Sequence, residues 1–403
     1  MKAVIHIGTE KTGSTSIQNF LLENRQALIQ EGFYYPKSLG ALDHRKVSAY
    51  CLENNQQDDF FKLNNLSSLK EIEQFKDKLK NDLNKEIKAL PSNIHTVIIS
   101  SEHLHSRLKS PSEIQNLHDL LSHHFESFEI ICYLREQLDT CISFYSTALK
   151  SGNAINFENH LKNCQPNSHY YNYFTLLSLW ENCFGHDAIR PSIFKEKEFI
   201  NNDLIDDFTS KLSPNLLGKL EKNNQKLNTS LSHTGQHVLL SVNQAFPKGS
   251  DSNNTSIRDK CNLIISKNLK GKMPFPSDEQ CKIIYDSFKE SNQQLLEKYF
   301  PNKKVLFEYP NTSEDPSLQM DETLQSTLVE LFTTIQEECS SSFLKPKNAM
   351  IFKEAALSVE ESNLQMALFL MKLAHSLKPN GPLINKKIKE YQSRIKRKRK
   401  RKV

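Results

Sequence analysis

No run of 18 apolar residues occurs in the chain, so no stretch reads as a membrane-spanning helix. The N-terminus lacks the long apolar segment of a signal peptide and runs straight into a strand pattern, so a cytoplasmic protein is expected. The eight cysteines, at positions 51, 132, 141, 164, 183, 261, 281 and 339, form no C-x-x-C pair. That spacing argues against a disulfide scaffold or a zinc site and for a reducing compartment. What is present describes a soluble globular protein: 25% charged and 37% hydrophobic residues over 403 positions. This length holds one large α/β domain and a smaller appendage.

Net charge is unevenly spread. Residues 386–403 carry eleven Lys/Arg against one Glu, so under an overall +5 the first 385 residues sum to −5. A mildly acidic body ends in a basic tail.

The first seventeen residues organise the rest. Val4 to Ile7 form a short apolar strand, Gly8 to Gly13 a loop, and from Ser14 the pattern turns helical, with Ile17, Phe20, Leu21 and Leu28 near a 3.6 spacing. Strand, glycine-bounded loop and helix build a phosphate cradle, in which amides of the loop and of the helix start converge on an anion. Gly8 and Gly13 match the glycines of G-x-x-x-x-G-K-[ST], but Ser14 stands where a nucleotide triphosphatase keeps its lysine. That loss argues against ATP hydrolysis. A lysine remains inside the loop at Lys11, and the cradle suits an anion shorter than a triphosphate.

Two more strand-then-helix units follow. Thr96–Ser101 ends in Glu102-His103-Leu104-His105, with a helix over 112–125; Glu129–Leu134 ends in Arg135, with a helix over 137–150. Such alternation predicts an α/β fold, a P-loop-type parallel sheet flanked by helices. Ligands of these sheets bind beyond the carboxyl ends of the strands, where Gly8, Glu102 and Arg135 all fall. Residues 67–90 read as a polar covering helix, Trp180 as core, and the Ser/Asn/Gly/Lys-rich stretch 245–275 as an irregular insertion. Helices dominate from Pro276 onward. Ala355, Ala367, Met371, Ala374 and Pro379 match the spacing of one tetratricopeptide unit, a helix hairpin that cannot bury its apolar face alone. The expected division is 1–340 as the main domain, 341–393 as an all-helical C-terminal extension, and 394–403 as the basic tail.

Lys11-Thr12-Gly13-Ser14-Thr15 resembles the K-[ST]-G-[ST]-[ST] loop of sulfotransferases that use 3′-phosphoadenosine-5′-phosphosulfate (PAPS), in wording close to the bacterial carbohydrate-type branch. Tyr133-Leu134-Arg135 through Ser143-Phe144-Tyr145 resembles the family's second signature, and Lys226–Ser232 its N-x-S-L-S segment. The resemblance covers about residues 1–310. It implies that Thr12, Gly13, Ser14 and Thr15 hold the 5′-phosphate while Lys11 neutralises charge on the leaving oxygen. Arg135 and Ser143 would hold the 3′-phosphate, and their spacing of eight residues, a little over two helical turns, suits a shared grip. Glu102 is the first choice of base, with His44, His103 and His105 as competitors because histidine titrates near neutrality. Arg107 is a further candidate to face a sugar or an anionic acceptor, with no motif of its own behind it.

No metal is required by this scheme, and no carboxylate pair is evident beside the loop. The implied acceptor is a carbohydrate or a lipid-linked glycan. For a lipid-linked acceptor the basic tail would bring the enzyme to an anionic leaflet; nucleic acid is not expected. Two readings from other classes stand beside this one: a P-loop kinase or NTPase, and a helical-repeat adaptor with a non-catalytic nucleotide-binding domain.

Overall fold

The computed structural model describes residues 1–53, 58–222, 230–249, 252–271, 273, 275–309, 322–338, 349–361 and 363–400. Five parallel strands, β1 (Lys2–Ile7), β2 (Phe33–Tyr34), β3 (Thr96–Ser101), β4 (Ser127–Leu134) and β5 (Ile189–Ile193), form one sheet in the order β2-β3-β1-β4-β5. β1 is central, with β3 on one side and β4 on the other. Ile7 pairs with Ser101 of β3 and with Cys132 of β4, so β1 and β3 end level and β4 runs two residues further, to Leu134, before Arg135.

Alternation along the strands explains why both faces are covered. Ala3, Ile5, Ile7, Val97, Ile99, Ile130 and Cys132 point into one apolar core. Val4, Ile98, Ile131 and Tyr133 point into the other. Helices Leu69–Lys88, Pro111–Ser122 and Tyr173–Phe184 cover the first face through Leu79, Leu83, Leu117, Leu121 and the fully buried Trp180. The second is closed by Ile17, Phe20 and Leu21 of the helix Ser14–Glu23 and by Phe208 and Leu212 of Leu204–Leu212. The expected covering helix over 67–90 is thus Leu69–Lys88, started by a Ser68–Glu71 capping box.

The chain divides into two compact units that interleave in sequence. Met1–Cys141, Lys162–Leu227 and Asp278–Pro310 make the sheet unit; Ile142–Leu161, Asn228–Ser277 and Asn311–Val403 make the second. This partition differs from a linear cut at 340, a position that itself lies outside the described residues.

Within the second unit the stretch 245–275 is not an irregular insertion: Ser252–Asn268 is a helix. It buries Ile257, Cys261 and Ile265, one row of side chains four apart, in a core with Leu149, Leu239, Leu328 and Leu331. Three terminal helices, Ala349–Val359, Leu364–Leu377 and Pro382–Lys400, share a further core. Ala367, Met371 and Ala374 are wholly buried there, and from the first helix Ala356, rather than Ala355, joins them. Residues 394–400 of the basic tail continue the last helix, and 401–403 lie outside the described residues. No described helix is long and apolar enough to cross a membrane.

Candidate active site

The loop after β1 is shaped by two left-handed residues, Lys11 at φ 70° and Gly13 at φ 78°. Glycine adopts that conformation without cost and lysine does not, so Lys11 is held there by its surroundings. Gly8 is needed for close approach: a Cβ on it would stand 2.3 Å from Ser14 Oγ and 3.2 Å from Glu102 Cα. Thr9 Oγ1 donates to the Tyr133 carbonyl, tying the loop to the end of β4. Thr12 Oγ1 donates to the Thr9 carbonyl at 2.6 Å. In this structure the Thr12 hydroxyl is thus engaged within the loop.

Where the loop becomes helix the geometry suits an anion. The helix Ser14–Glu23 takes Gly13 as its N-cap and has no side-chain cap. Its first amides have no acceptor within the helix, and their dipoles favour negative charge. Ser14 is 6% exposed and its Oγ has no hydrogen-bond partner. A buried hydroxyl without a partner is costly, and an oxyanion placed in this cradle would satisfy it.

Arg135, at the end of β4, meets this loop directly: its Nη1 donates to the Lys11 carbonyl at 3.3 Å. Ser143 lies eight residues on in the helix Gln137–Lys150, with a buried side chain, and belongs to the second compact unit because the division falls between Cys141 and Ile142.

Glu102 caps the end of β3, and Gln18 Nε2 of the first helix donates to its Oε2 at 2.7 Å. Asp43 and His103 bring ligand atoms to the same place, all within 4.8 Å of one another. A carboxylate pair therefore does stand beside the loop. Asp43 Oδ1 accepts the Arg45 amide at 2.6 Å. Burial, with Glu102 adding, pushes the Asp43 carboxyl up from its ordinary range. Burial and the Arg45 charge hold His103 down at about 4, so its ring is neutral near pH 7. Glu10, inside the loop, accepts a hydrogen bond from Tyr170 Oη. Burial, and then the neighbouring Glu102, raises its pKa against the pull of Tyr170, Arg107 and Lys11.

The other candidates fall away from the chemistry. His44 is fully buried, its Nε2 set against the Pro36 carbonyl at 3.0 Å and its Nδ1 against the Ser100 amide at 3.2 Å. With both ring nitrogens engaged and burial holding it down at about 3, it joins the segment after β2 to β3 and is no base. His105 is buried beside the rings of His169 and Tyr170 and held down at about 3 by the same cause. Arg107 is spoken for by Asp58 (2.8 Å) and Asp59 (3.4 Å). Sequence reasoning passed over Gln18, Asp43, Glu10 and Tyr170; only their nearness to the loop motif, for Gln18 and Glu10, was a signal.

The class defined so far is an α/β protein with an anion cradle between the first helix and two strand ends. No family model matches the chain. A stretch of 183 residues is 27% identical to an uncharacterized protein of Archaeoglobus fulgidus, covering 43% of this chain and 46% of that protein. The match thus spans about half of that relative's length. A sulfotransferase of known structure, from Alicyclobacillus acidocaldarius, aligns with a TM-score of 0.37 and 11% identity over 73% of this chain and 94% of its own.

Proposed function

We propose that the protein is a PAPS-dependent sulfotransferase that moves a sulfuryl group to a hydroxyl or amine of a carbohydrate or lipid-linked glycan. The observation that carries this reading is the bond from Arg135 to the Lys11 carbonyl, which sets a strand-end guanidinium against the loop's lysine–glycine turn. A donor phosphorylated at both ends needs two cationic grips in one crevice, and a planar guanidinium binds phosphate by two parallel bonds. The missing lysine after Gly13 speaks against the kinase reading.

In this proposal the amides of Gly13 and Ser14 and the free Ser14 Oγ hold the 5′-phosphate, and Arg135 serves the 3′-phosphate. PAPS supplies an activated sulfuryl group whose leaving oxygen belongs to a phosphate. Lys11 stands at the turn to neutralise the charge that grows on that oxygen, which is the positioning and charge work a loose transition state requires. Glu102, oriented by Gln18, takes the proton of the acceptor hydroxyl as its oxygen bonds to sulfur.

Incubation with sulfur-labelled PAPS and envelope glycan extracts tests the reading, with label expected in a glycan fraction and none for Lys11→Ala. Calorimetric titration with adenosine 3′,5′-bisphosphate is expected to show binding. No heat there, together with thermal protection by ATP–Mg²⁺, would move the protein to the kinase class.

A further inference from the structure

The terminal helices hold a surface that the proposed chemistry does not use. Ala356, Met371, Ala374 and Tyr391 close the core among Ala349–Val359, Leu364–Leu377 and Pro382–Lys400. At one end two large apolar side chains remain in water, Met350 at 64% and Leu383 at 44% exposure. Both line one shallow groove, together with Lys353 and Lys378. Lys353 is paired with Glu354 at 2.7 Å.

The charged residues that line the groove are Lys353 and Lys378, and the nearby acids Glu354 and Glu390 are engaged by Lys353 and by Lys387 and Arg394. From Leu364 to Lys389 the sequence contains five lysines and no Asp or Glu. Along the last helix Ile384 and Tyr391 turn inward, while Lys386, Lys389, Ser393 and Lys396 are exposed at spacings of three and four, which places them in one outward row. Lys387 and Arg394 lie off that row and are tied to Glu360 at 2.6 Å and Glu361 at 3.4 Å. The basic residues are therefore presented on a packed helix, sorted into an inner set that is neutralised and an outer set that is not paired with acids in the same way.

We propose that this edge docks on an anionic phospholipid bilayer, with Met350 and Leu383 entering the headgroup boundary and Lys378, Lys386, Lys389 and Lys396 lying over the headgroups. The apolar pair decides the class of partner. A nucleic acid would engage the lysines through its phosphates but leave Met350 and Leu383 without a role. An anionic leaflet takes both, since interfacial binding sums buried apolar area and attraction to charged lipid.

The test uses the full chain and vesicles of phosphatidylcholine, alone or mixed with phosphatidylglycerol. Flotation with the mixed vesicles only is expected, with release at high salt. Reversing three charges (Lys378→Glu, Lys386→Glu, Lys389→Glu) is expected to weaken binding at least about tenfold, given roughly fivefold per lysine. Because the native tryptophan, Trp180, is fully buried, Leu383→Trp gives a readout of insertion: mixed vesicles are expected to shift the new emission to the blue. Equal binding to both vesicle types, no binding, or no blue shift overturns the proposal. So does single-stranded RNA that competes the protein off the vesicles and loses affinity with the same triple reversal. Thermal melting shows whether the triple variant is folded, and if it is not, the salt dependence and the emission shift of the otherwise native chain decide.

Discussion

Gly13 carries two demands at once. Its φ of 78° lies in the left-handed region, and a Cβ there would stand 2.3 Å from Leu204 Cδ2. Gly13→Ala is therefore expected to lower stability by about 1–3 kcal/mol in urea titration, and to weaken adenosine 3′,5′-bisphosphate because the amides it positions move. Glu102 and His44, both candidate bases by sequence, should separate cleanly. Glu102→Gln keeps an acceptor for Gln18, and is expected to cut kcat by about 10²–10⁴ with bisphosphate affinity unchanged. His44→Ala strands the Ser100 amide and is expected to cost about 1–3 kcal/mol of stability while leaving the pH–rate profile where it was. A folded His44→Ala protein with no turnover would reverse these roles. The Asp43–Glu102 pair raises the question of a metal, but each already accepts a hydrogen bond from Arg45 or Gln18. Turnover is accordingly expected to survive EDTA; a loss that Mg²⁺ restores would assign the pair to a cation.

Among the elements, the helix Ser252–Asn268 stands where the sequence reads as an irregular insertion. Its apolar signal is a single row, Ile257, Cys261 and Ile265, set in serine, asparagine and lysine, and so thin a stripe barely differs from a loop. Burial makes the distinction measurable: Ile257 is fully buried, so Ile257→Ala is expected to cost about 2–4 kcal/mol, whereas a solvated loop position would cost almost nothing. β1, β3 and β4 were readable for the opposite reason. A strand covered on both faces carries a short apolar run, here Ala3–Ile5, Val97–Ile99 and Ile130–Leu134. The cradle was legible because its constraints are local, a glycine where φ is positive and a helix start beside it. The rest of the site was not, since Glu10 meets Tyr170 from 160 residues away and Arg107 meets Asp58 from 49. No periodicity announces such partners. The same distance effect hides the interleaved units, because contiguity in sequence says nothing of where the chain returns.

For the molecule as a whole, buried histidines set the response to acid. His6, His44 and His105 are held down at about 3 and His103 at about 4, in each case chiefly by burial. Unfolded, they titrate near 6.5. As pH falls below that value the unfolded chain gains protons that the folded chain refuses, so stability drops with acidification. Raised carboxyls oppose them: burial lifts Glu136 to about 7 and moves Glu10 and Asp43 up as well, so the folded protein holds protons there that the unfolded chain releases. Over the window from about 6.5 to 5 the lowered histidines, His124 and His169 among them, outnumber the raised carboxyls, and each fully shifted group is worth about 1.4 kcal/mol per pH unit. The histidines therefore win, and the urea midpoint is expected to fall steeply from pH 6.5 to 5. Glu136→Gln removes one opposing proton while keeping an acceptor for the Asp139 amide, now 2.8 Å from the carboxylate. It is expected to raise the midpoint at pH 8, where the buried carboxylate is ionised, and to steepen the acid decline. A midpoint that stays level or rises between pH 6.5 and 5 would mean that the histidines accept protons in place, and with that the reading of His44 as a neutral, fully bonded spacer between the segment after β2 and β3 would fail.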